Sequence, residues 1–323
     1  MSTINWGIIS TAKIGVEQVI PAIQEASNCR VQAIASRTAS KARQAAQQLE
    51  IPDWYDSYDA LLADEQIDAI YNPLPNHLHV PYSINALEAD KHVLCEKPIA
   101  LDAEEAKSLQ QAAEGHPKLN VMEAFMYRFH PQWIRAKELV DQGAIGDLQT
   151  VHSFFSYYND DADDIRNNPD MGGGGLMDIG CYCISLSRYL FDAEPRRVQG
   201  QWKIDPRFDT DYLASGMLDF GSGTATFTCA TQTAPHQQVN IVGTDGRIVI
   251  DIPFNAPPNG QTQIHHYHRD QEQTISFEPV NQYTLQAHAF AKTVIENTPV
   301  PTPLTDAIAN MKVIDTFKEV AGN

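Results

Sequence analysis

Short apolar runs alternating with helix-length segments constrain the first part of this chain more than any other feature. Trp6 to Ile9 reads as a buried strand and Ile14 to Ala26 as a helix, with Ile14, Val19, Ala22, Ile23 and Ala26 apolar. Val31 to Ala35 is the next strand and Ser40 to Leu49 the next helix. The pattern repeats with Ile67 to Tyr71, a helix through Tyr82–Leu87, His92 to Cys95, a helix across Ala103 to Ala113, and a strand at Leu119 to Met122. Such alternation predicts a parallel sheet covered on both faces, a doubly wound α/β domain over residues 1–122.

After Met122 the texture changes. A helix over Gln132 to Asp141 gives way to a strand of another kind, Leu148 to Phe154. A Gly-rich helix near 173–190 follows, then alternating stretches at Tyr212–Phe220, Thr224–Ala230, Gln237–Val242 and Arg247–Ile252. Tight turns such as Gly221-Ser222-Gly223 and Thr244-Asp245-Gly246 suit hairpins. Residues 123–323 therefore read as a second α/β domain with a mostly antiparallel, open-faced sheet, closed by helices near 283–296 and 305–319. The last helix could pack on either domain.

At 323 residues with 43% hydrophobic and 20% charged side chains, two soluble domains are the natural expectation. The net charge of −18 argues against nucleic acid and anionic membranes as partners. The chain opens straight into a strand, without the pattern of a signal peptide, and no run approaches a membrane span. The five cysteines, at 29, 95, 181, 183 and 229, do not form a disulfide framework. A reduced, cytoplasmic protein is expected. No metal site is expected either: Cys181-x-Cys183 has the wrong spacing, and His265-His266-x-His268 reads as a polar strand with His266 and His268 on one face.

The first strand–turn–helix is the candidate phosphate cradle. A Gly-x-Gly-x-x-Gly turn would need glycine at 10, 12 and 15, and only Gly15 matches. Small residues still let a backbone approach a pyrophosphate, and the helix start offers N–H groups and a positive dipole end. Ser10, Thr11, Ala12, Lys13 and Ile14 are accordingly candidate cofactor contacts, with hydroxyl donors at Ser10 and Thr11. The second strand ends in Ser36-Arg37-Thr38, with Lys41 beyond. An NAD site places a carboxylate there for the ribose hydroxyls. Donors without a carboxylate suit a 2′-phosphate, hence NADP. The third strand ends in a proline-rigidified loop where Asn72, Pro73 and Leu74 would line the nicotinamide side and Asn76 would cap the next helix. His79 joins the cofactor candidates, although a capping or solvated role suits it and His77 better.

Glu96-Lys97-Pro98 follows the fourth strand of this reading. A lysine there puts a cation at the carboxyl edge of the sheet, where ligands bind. Pro98 biases Lys97 toward an extended backbone. In the second domain Gly172 to Gly175, read as a flexible loop, feeds a helix carrying Asp178 and Tyr182 at i and i+4. A tyrosine used as general acid/base needs its pKa lowered, and Lys97 is the obvious cation.

Together the nucleotide-binding turn, Glu96-Lys97-Pro98 and Asp178-x-x-x-Tyr182 resemble the glucose–fructose oxidoreductase/inositol dehydrogenase/MocA family over nearly the whole chain. The tyrosine places the chain near the branch with aldose, xylose and dihydrodiol dehydrogenases. The resemblance implies an N-terminal Rossmann domain and a C-terminal domain whose open sheet often mediates oligomerisation, here a dimer or tetramer. It implies that Lys97 orients substrate and lowers the tyrosine pKa, that Tyr182 exchanges the substrate proton, and that Asp178 holds substrate hydroxyls. Glu123 to Pro131, with Arg128 and His130, would border nicotinamide and substrate, as would Arg166; Glu96 and Lys97 would also touch the cofactor.

The expected activity is NADP(H)-dependent oxidation of a sugar, at C1 of an aldose. The competing readings are a sugar–sugar oxidoreductase with tightly held NADP, a trans-dihydrodiol dehydrogenase, and a non-catalytic NADP sensor.

Overall fold

In the computed structural model, which describes residues 2–322, six strands form one parallel sheet. They are β1 (Ile4–Ile9), β2 (Cys29–Ala35), β3 (Asp53–Tyr55), β4 (Ala69–Asn72), β5 (His92–Cys95) and β6 (Val121–Glu123). Their order, β3-β2-β1-β4-β5-β6, is that of a doubly wound dinucleotide fold. All four residues of β4 are buried, as a strand covered on both faces requires.

Helices α1 (Ile20–Glu25), α2 (Ala39–Gln48), α3 (Tyr58–Leu62), α4 (His79–Glu88) and α5 (Ala103–Gly115) connect the strands. β3 and α3 were not legible: β3 is three residues long and lies at the sheet edge, where Trp54 stays 42% exposed. The helix expected over 14–26 forms without a break, with a π-type turn at Gly15–Val19 leading directly into α1. Pro21, near the start of α1, has no N–H to donate, and the wide turn puts that gap at the junction. Late in the chain, α8 (Gln282–Glu296) rejoins this unit: Phe290 meets Trp6 of β1 at 5.3 Å between ring centroids, both fully buried. The first unit thus runs through Met126 and takes in Gln282–Ile308.

The second unit is Tyr127–Asn281 with the stretch from Ala309 on. It contains α6 (Pro131–Asp141), β7 (Leu148–Tyr158), α7 (Cys181–Phe191), β8 (Arg197–Asp205), β9 (Thr210–Asp219), β10 (Thr224–Ala230), β11 (Gln232–Gly243), β12 (Gly246–Ile250), β13 (Thr262–His268) and β14 (Gln271–Phe277). The eight strands run β14-β13-β12-β11-β7-β10-β9-β8; β7 and β10 pair in parallel and every other pair is antiparallel. β14 is polar and mostly exposed, and alternation shows only at its end, in Ile275 and Phe277, too short a signal to mark a strand. His266 and His268 do share a face, both hydrogen-bonded to the carbonyl of Ala144, at 3.1 and 3.2 Å.

One face of this sheet is covered. α7 packs on β7 and β10, and α9 (Leu304–Ala321) sets Phe317 against Phe227 and Trp202. The other face is tiled by polar pairs, His152 with Thr226 at 2.6 Å, Ser215 with Thr228 at 2.9 Å and Gln238 with Asp251 at 2.8 Å. No helix among the described residues is long and apolar enough to cross a membrane.

Candidate active site

In the first unit the turn after β1 has the backbone a glycine would adopt. Ser10 has φ +91°, the left-handed side that L-residues avoid, and its N–H is held by Ala35 O at 2.9 Å. Gly15 is less constrained than its motif suggests. A Cβ there would make ordinary contact with Pro73 and Tyr71, at 3.6 and 3.7 Å. Thr11 to Ile14 lead from the turn into the helix start, where the partial positive dipole end lies.

At the end of β2, Arg37 and Lys41 are exposed, while Ser36 is buried and its Oγ accepts the Thr38 N–H at 3.3 Å. Thr38 occupies the N-cap position of α2 without a capping side-chain bond. Tyr58 of α3 lies near Ser10 and Arg37, both of which favour its ionised form against the burial that raises its pKa. This donor set, with cations and hydroxyls at the strand end, fits the phosphate-rich half of a dinucleotide.

The loop after β4 is held from inside. Asn72 is fully buried; its amide donates to His79 O at 3.0 Å and Ser83 Oγ at 3.2 Å, and its carbonyl accepts from Leu74 N at 3.3 Å. Pro73 and Leu74 are buried beside it. Asn76 opens a 3-10 turn and does not cap α4; neither that turn nor α4 has a side-chain cap. His79 is not solvated. It is 1% exposed, with Nδ1 2.7 Å from Pro98 O and Nε2 2.7 Å from Leu74 O, so it braces two loops against each other. Burial lowers its pKa to about 4.

That brace ends on the Glu96-Lys97-Pro98 segment, where the Lys97–Pro98 peptide is cis. Tyr71 donates to Glu96 Oε1 at 2.7 Å, Glu96 Oε2 accepts the Lys97 N–H at 3.3 Å, and Glu123 Oε1 takes the Ile99 N–H at 2.8 Å. Lys97, half-buried, is thus presented from a segment fixed at both ends.

In the second unit, Arg128 is tied to α7: Nη2 donates to Ser185 Oγ at 2.8 Å, and the guanidinium lies 5.2 Å from the Tyr189 ring centre. His130 is 1% exposed and caps α6, its Nδ1 accepting the Gln132 N–H at 3.2 Å; burial lowers its pKa to about 4. Both are anchored within this unit, which the motif alone could not reveal.

Asp178 lies on a π-type turn (Leu176–Gly180) that runs into α7. Its Oδ2 accepts from Tyr157 Oη at 2.6 Å and pairs with Arg166 Nε at 3.2 Å. Arg166 also reaches Asp164 Oδ1, at 3.3 Å. The Asp178 charge raises the Arg166 pKa; burial and then Asp178 raise that of Tyr157, so it stays a protonated donor. Arg166 therefore groups with Asp178. Tyr182, 5% exposed, sits among the rings of Phe254, Tyr127 and Phe155, at 5.4, 5.8 and 5.9 Å between centroids. Tyr157 lies beyond the strand expected at Leu148 to Phe154, on the extension of β7 to Tyr158. Continued alternation would have placed Val151, Ser153, Phe155 and Tyr157 on one face.

The glycine loop is not a flexible lead-in. Gly173 N donates to Asn168 O at 2.9 Å and Gly174 N to Arg166 O at 2.8 Å. A Cβ on Gly173 would lie 2.5 Å from Arg166 O. Close approach, rather than mobility, calls for these glycines.

Comparison with known proteins agrees with this architecture. Residues 4–125 match the model for an oxidoreductase family with an NAD-binding Rossmann fold, and residues 133–249 match the GFO/IDH/MocA C-terminal domain. The chain is 40% identical to an uncharacterized oxidoreductase of Rhizobium meliloti, covering 99% of this chain and 98% of that protein. It is 39% identical to a D-xylose 1-dehydrogenase (NADP(+)) of Haloferax volcanii, over 98% and 97% of the two chains. Among solved structures, a 3-ketoreductase from Actinomadura kijaniata in complex with NADP superposes with a TM-score of 0.92 at 28% identity, covering 98% of each chain. With both domains matched in order and near-complete relatives at this identity, the chain belongs to the glucose–fructose oxidoreductase/inositol dehydrogenase/MocA family of oxidoreductases.

Proposed function

We propose that this protein oxidises C1 of a cyclic aldose with NADP⁺ as hydride acceptor. The observation that carries the reading is Asp178, held by Tyr157 and Arg166 one turn before Tyr182. A fixed carboxylate beside a phenol and a guanidinium offers directed acceptors and donors to vicinal hydroxyls. The rings around Tyr182 offer an apolar face suited to a sugar ring. Similarity to a xylose dehydrogenase supports an aldose.

When bound, the nicotinamide supplies the hydride chemistry. Ser10, Thr11, Ala12, Lys13 and Ile14 would hold the pyrophosphate. Ser36, Arg37 and Lys41 would hold the 2′-phosphate, which favours NADP over NAD. Lys97 would orient the C1 hydroxyl, and Tyr182 would take its proton as the C1 hydride leaves, giving the lactone, NADPH and a proton. Asp178 would fix neighbouring hydroxyls, so that the reacting carbon is aligned before reaction.

The test is nicotinamide absorbance with NADP⁺ or NAD⁺ against a panel of xylose, glucose, galactose and arabinose, with a trans-dihydrodiol control. NADPH growth with an aldose, lost by orders of magnitude in Lys97→Ala with nucleotide affinity kept, is the expected result. Turnover of the dihydrodiol alone, or a Lys97→Ala variant at wild-type rate, would overturn it. Nucleotide co-purifying with the protein, with sugar-to-sugar transfer and no net NADPH, would replace it with the sugar–sugar oxidoreductase.

A further inference from the structure

Asp211 is a buried carboxylate that none of the roles above uses. It is 6% exposed and reaches from β9 to the glycine loop that starts the Asp178 helix. Its Oδ2 accepts the Leu176 N–H at 2.7 Å, and the nearby backbone N–H groups of Gly175 and of Asp211 itself favour its charged form. The loop is shaped to admit it. Gly174 has φ +112°, and a Cβ there would lie 2.2 Å from Asp211 Oδ1; a Cβ on Gly175 would lie 3.3 Å from Oδ2.

The first N–H groups of any helix lack partners within it, and its positive end favours an anion. Here no residue of the loop itself caps the helix, since Gly175 occupies the N-cap position. A carboxylate from another strand does so instead. Asp178 lies two residues beyond Leu176, and its own N–H bonds Gly174 O at 2.9 Å. Gly174 N in turn bonds Arg166 O, whose side chain pairs with Asp178. A single seat therefore governs the helix start, the loop and the Asp178 partner.

We propose that Asp211 is the positioning residue of the candidate catalytic helix: its charged carboxylate, seated against Gly174 and Gly175, fixes where Asp178 and Tyr182 stand. The inference rests on the roles proposed above for those two residues. Burial raises the Asp211 pKa to about 6, so its charge is lost within an accessible pH range. The groups facing it are Lys318 of α9, which favours the charged form, and Cys229 of β10, whose own pKa burial raises well above normal, leaving it neutral there.

Asp211→Asn keeps an acceptor and removes the charge. The expected result is a fall in kcat of about tenfold or more with nucleotide affinity within about twofold, as for loss of a charge-assisted bond. The wild-type acid limb near pH 6 should vanish in this variant, and exchange of the Leu176 amide hydrogen should accelerate. Lys318→Met, on the last helix, leaves every Asp211 hydrogen bond in place and serves even if Asp211→Asn does not fold. It should move the acid limb to higher pH while leaving the rate at pH above 8 unchanged. Unaltered kcat and Leu176 exchange in Asp211→Asn, or an acid limb indifferent to Lys318→Met, would overturn the proposal. Amide exchange reads the seat without any turnover, so a wild-type protein inert toward sugars would count against the proposed activity and leave this test standing.

Discussion

Tyr157 and Arg166 converge on one oxygen of Asp178, the phenol at 2.6 Å and the guanidinium at 3.2 Å. Two donors on one carboxylate oxygen fix its direction as well as its charge. Tyr157→Phe removes the shorter bond and keeps the ring. A hydrogen bond to a charged group is worth about 1.5–3 kcal/mol, so kcat/KM for the sugar should fall roughly 10- to 100-fold. Nucleotide affinity should not change. Steady-state kinetics with a nucleotide fluorescence titration checks both; wild-type kcat/KM would mean that Asp178 keeps its place without the Tyr157 bond.

The doubly wound unit was legible because β1, β2, β4 and β5 are apolar runs of the right length between amphipathic helices. Residues whose chemistry depends on a partner far along the chain were not. Asn72 and His79 look like presented polar groups in sequence, yet their partners are Ser83, Leu74 and Pro98, reached only when the loops fold together. Gly173, Gly174 and Gly175 read as flexibility because the groups that need their space, Asp211 and the Arg166 carbonyl, lie outside the loop. Likewise Ser10 departs from the glycine pattern while adopting the glycine backbone. A motif records which residue stands at a position, not the torsion it accepts.

His79 and His130 give stability a defined pH dependence. Both have folded pKa values near 4, lowered by burial from an ordinary 6.5. Between those values the unfolded chain binds more protons, so stability rises with pH across the window. It is lost as pH falls from 6.5 toward 4, by up to about 1.4 kcal/mol per pH unit for each histidine. Asp211, raised to about 6, acts in the opposite sense there, so the informative quantity is a difference between variants. Urea unfolding of wild type and His79→Gln from pH 4 to 8 should give a shallower acid slope in the variant, with lower stability at neutral pH. Parallel curves would mean that His79 titrates alike in both states.

Ser10 at φ +91° holds backbone strain of about 1–3 kcal/mol. Ser10→Gly relieves it and loosens the unfolded chain, two effects of similar size, so the unfolding midpoint should hold or rise slightly. Ser10→Val adds a branched side chain where none is tolerated and should destabilise by about 2 kcal/mol. Denaturation of the pair decides the matter: a valine variant as stable as wild type would show that the turn relaxes to another torsion.

Gly200 of β8 and Gly216 of β9 face each other across paired strands and leave room for Phe317. A Cβ on Gly200 would lie 2.1 Å from Phe317 Cε2, and one on Gly216 would lie 2.8 Å from the same atom. The phenyl ring is fully buried, so it has little space into which to retreat. Gly200→Ala should therefore cost about 1–3 kcal/mol by overpacking. Phe317→Leu alone should also destabilise, through the volume it vacates. The two faults are complementary: the new methyl group occupies part of the space the ring gives up. In the double variant the combined loss should be smaller than the sum of the single losses, measured as a coupling energy from chemical denaturation. Strict additivity would mean that strand β8 shifts to admit the methyl group and that the glycine is not there for the ring.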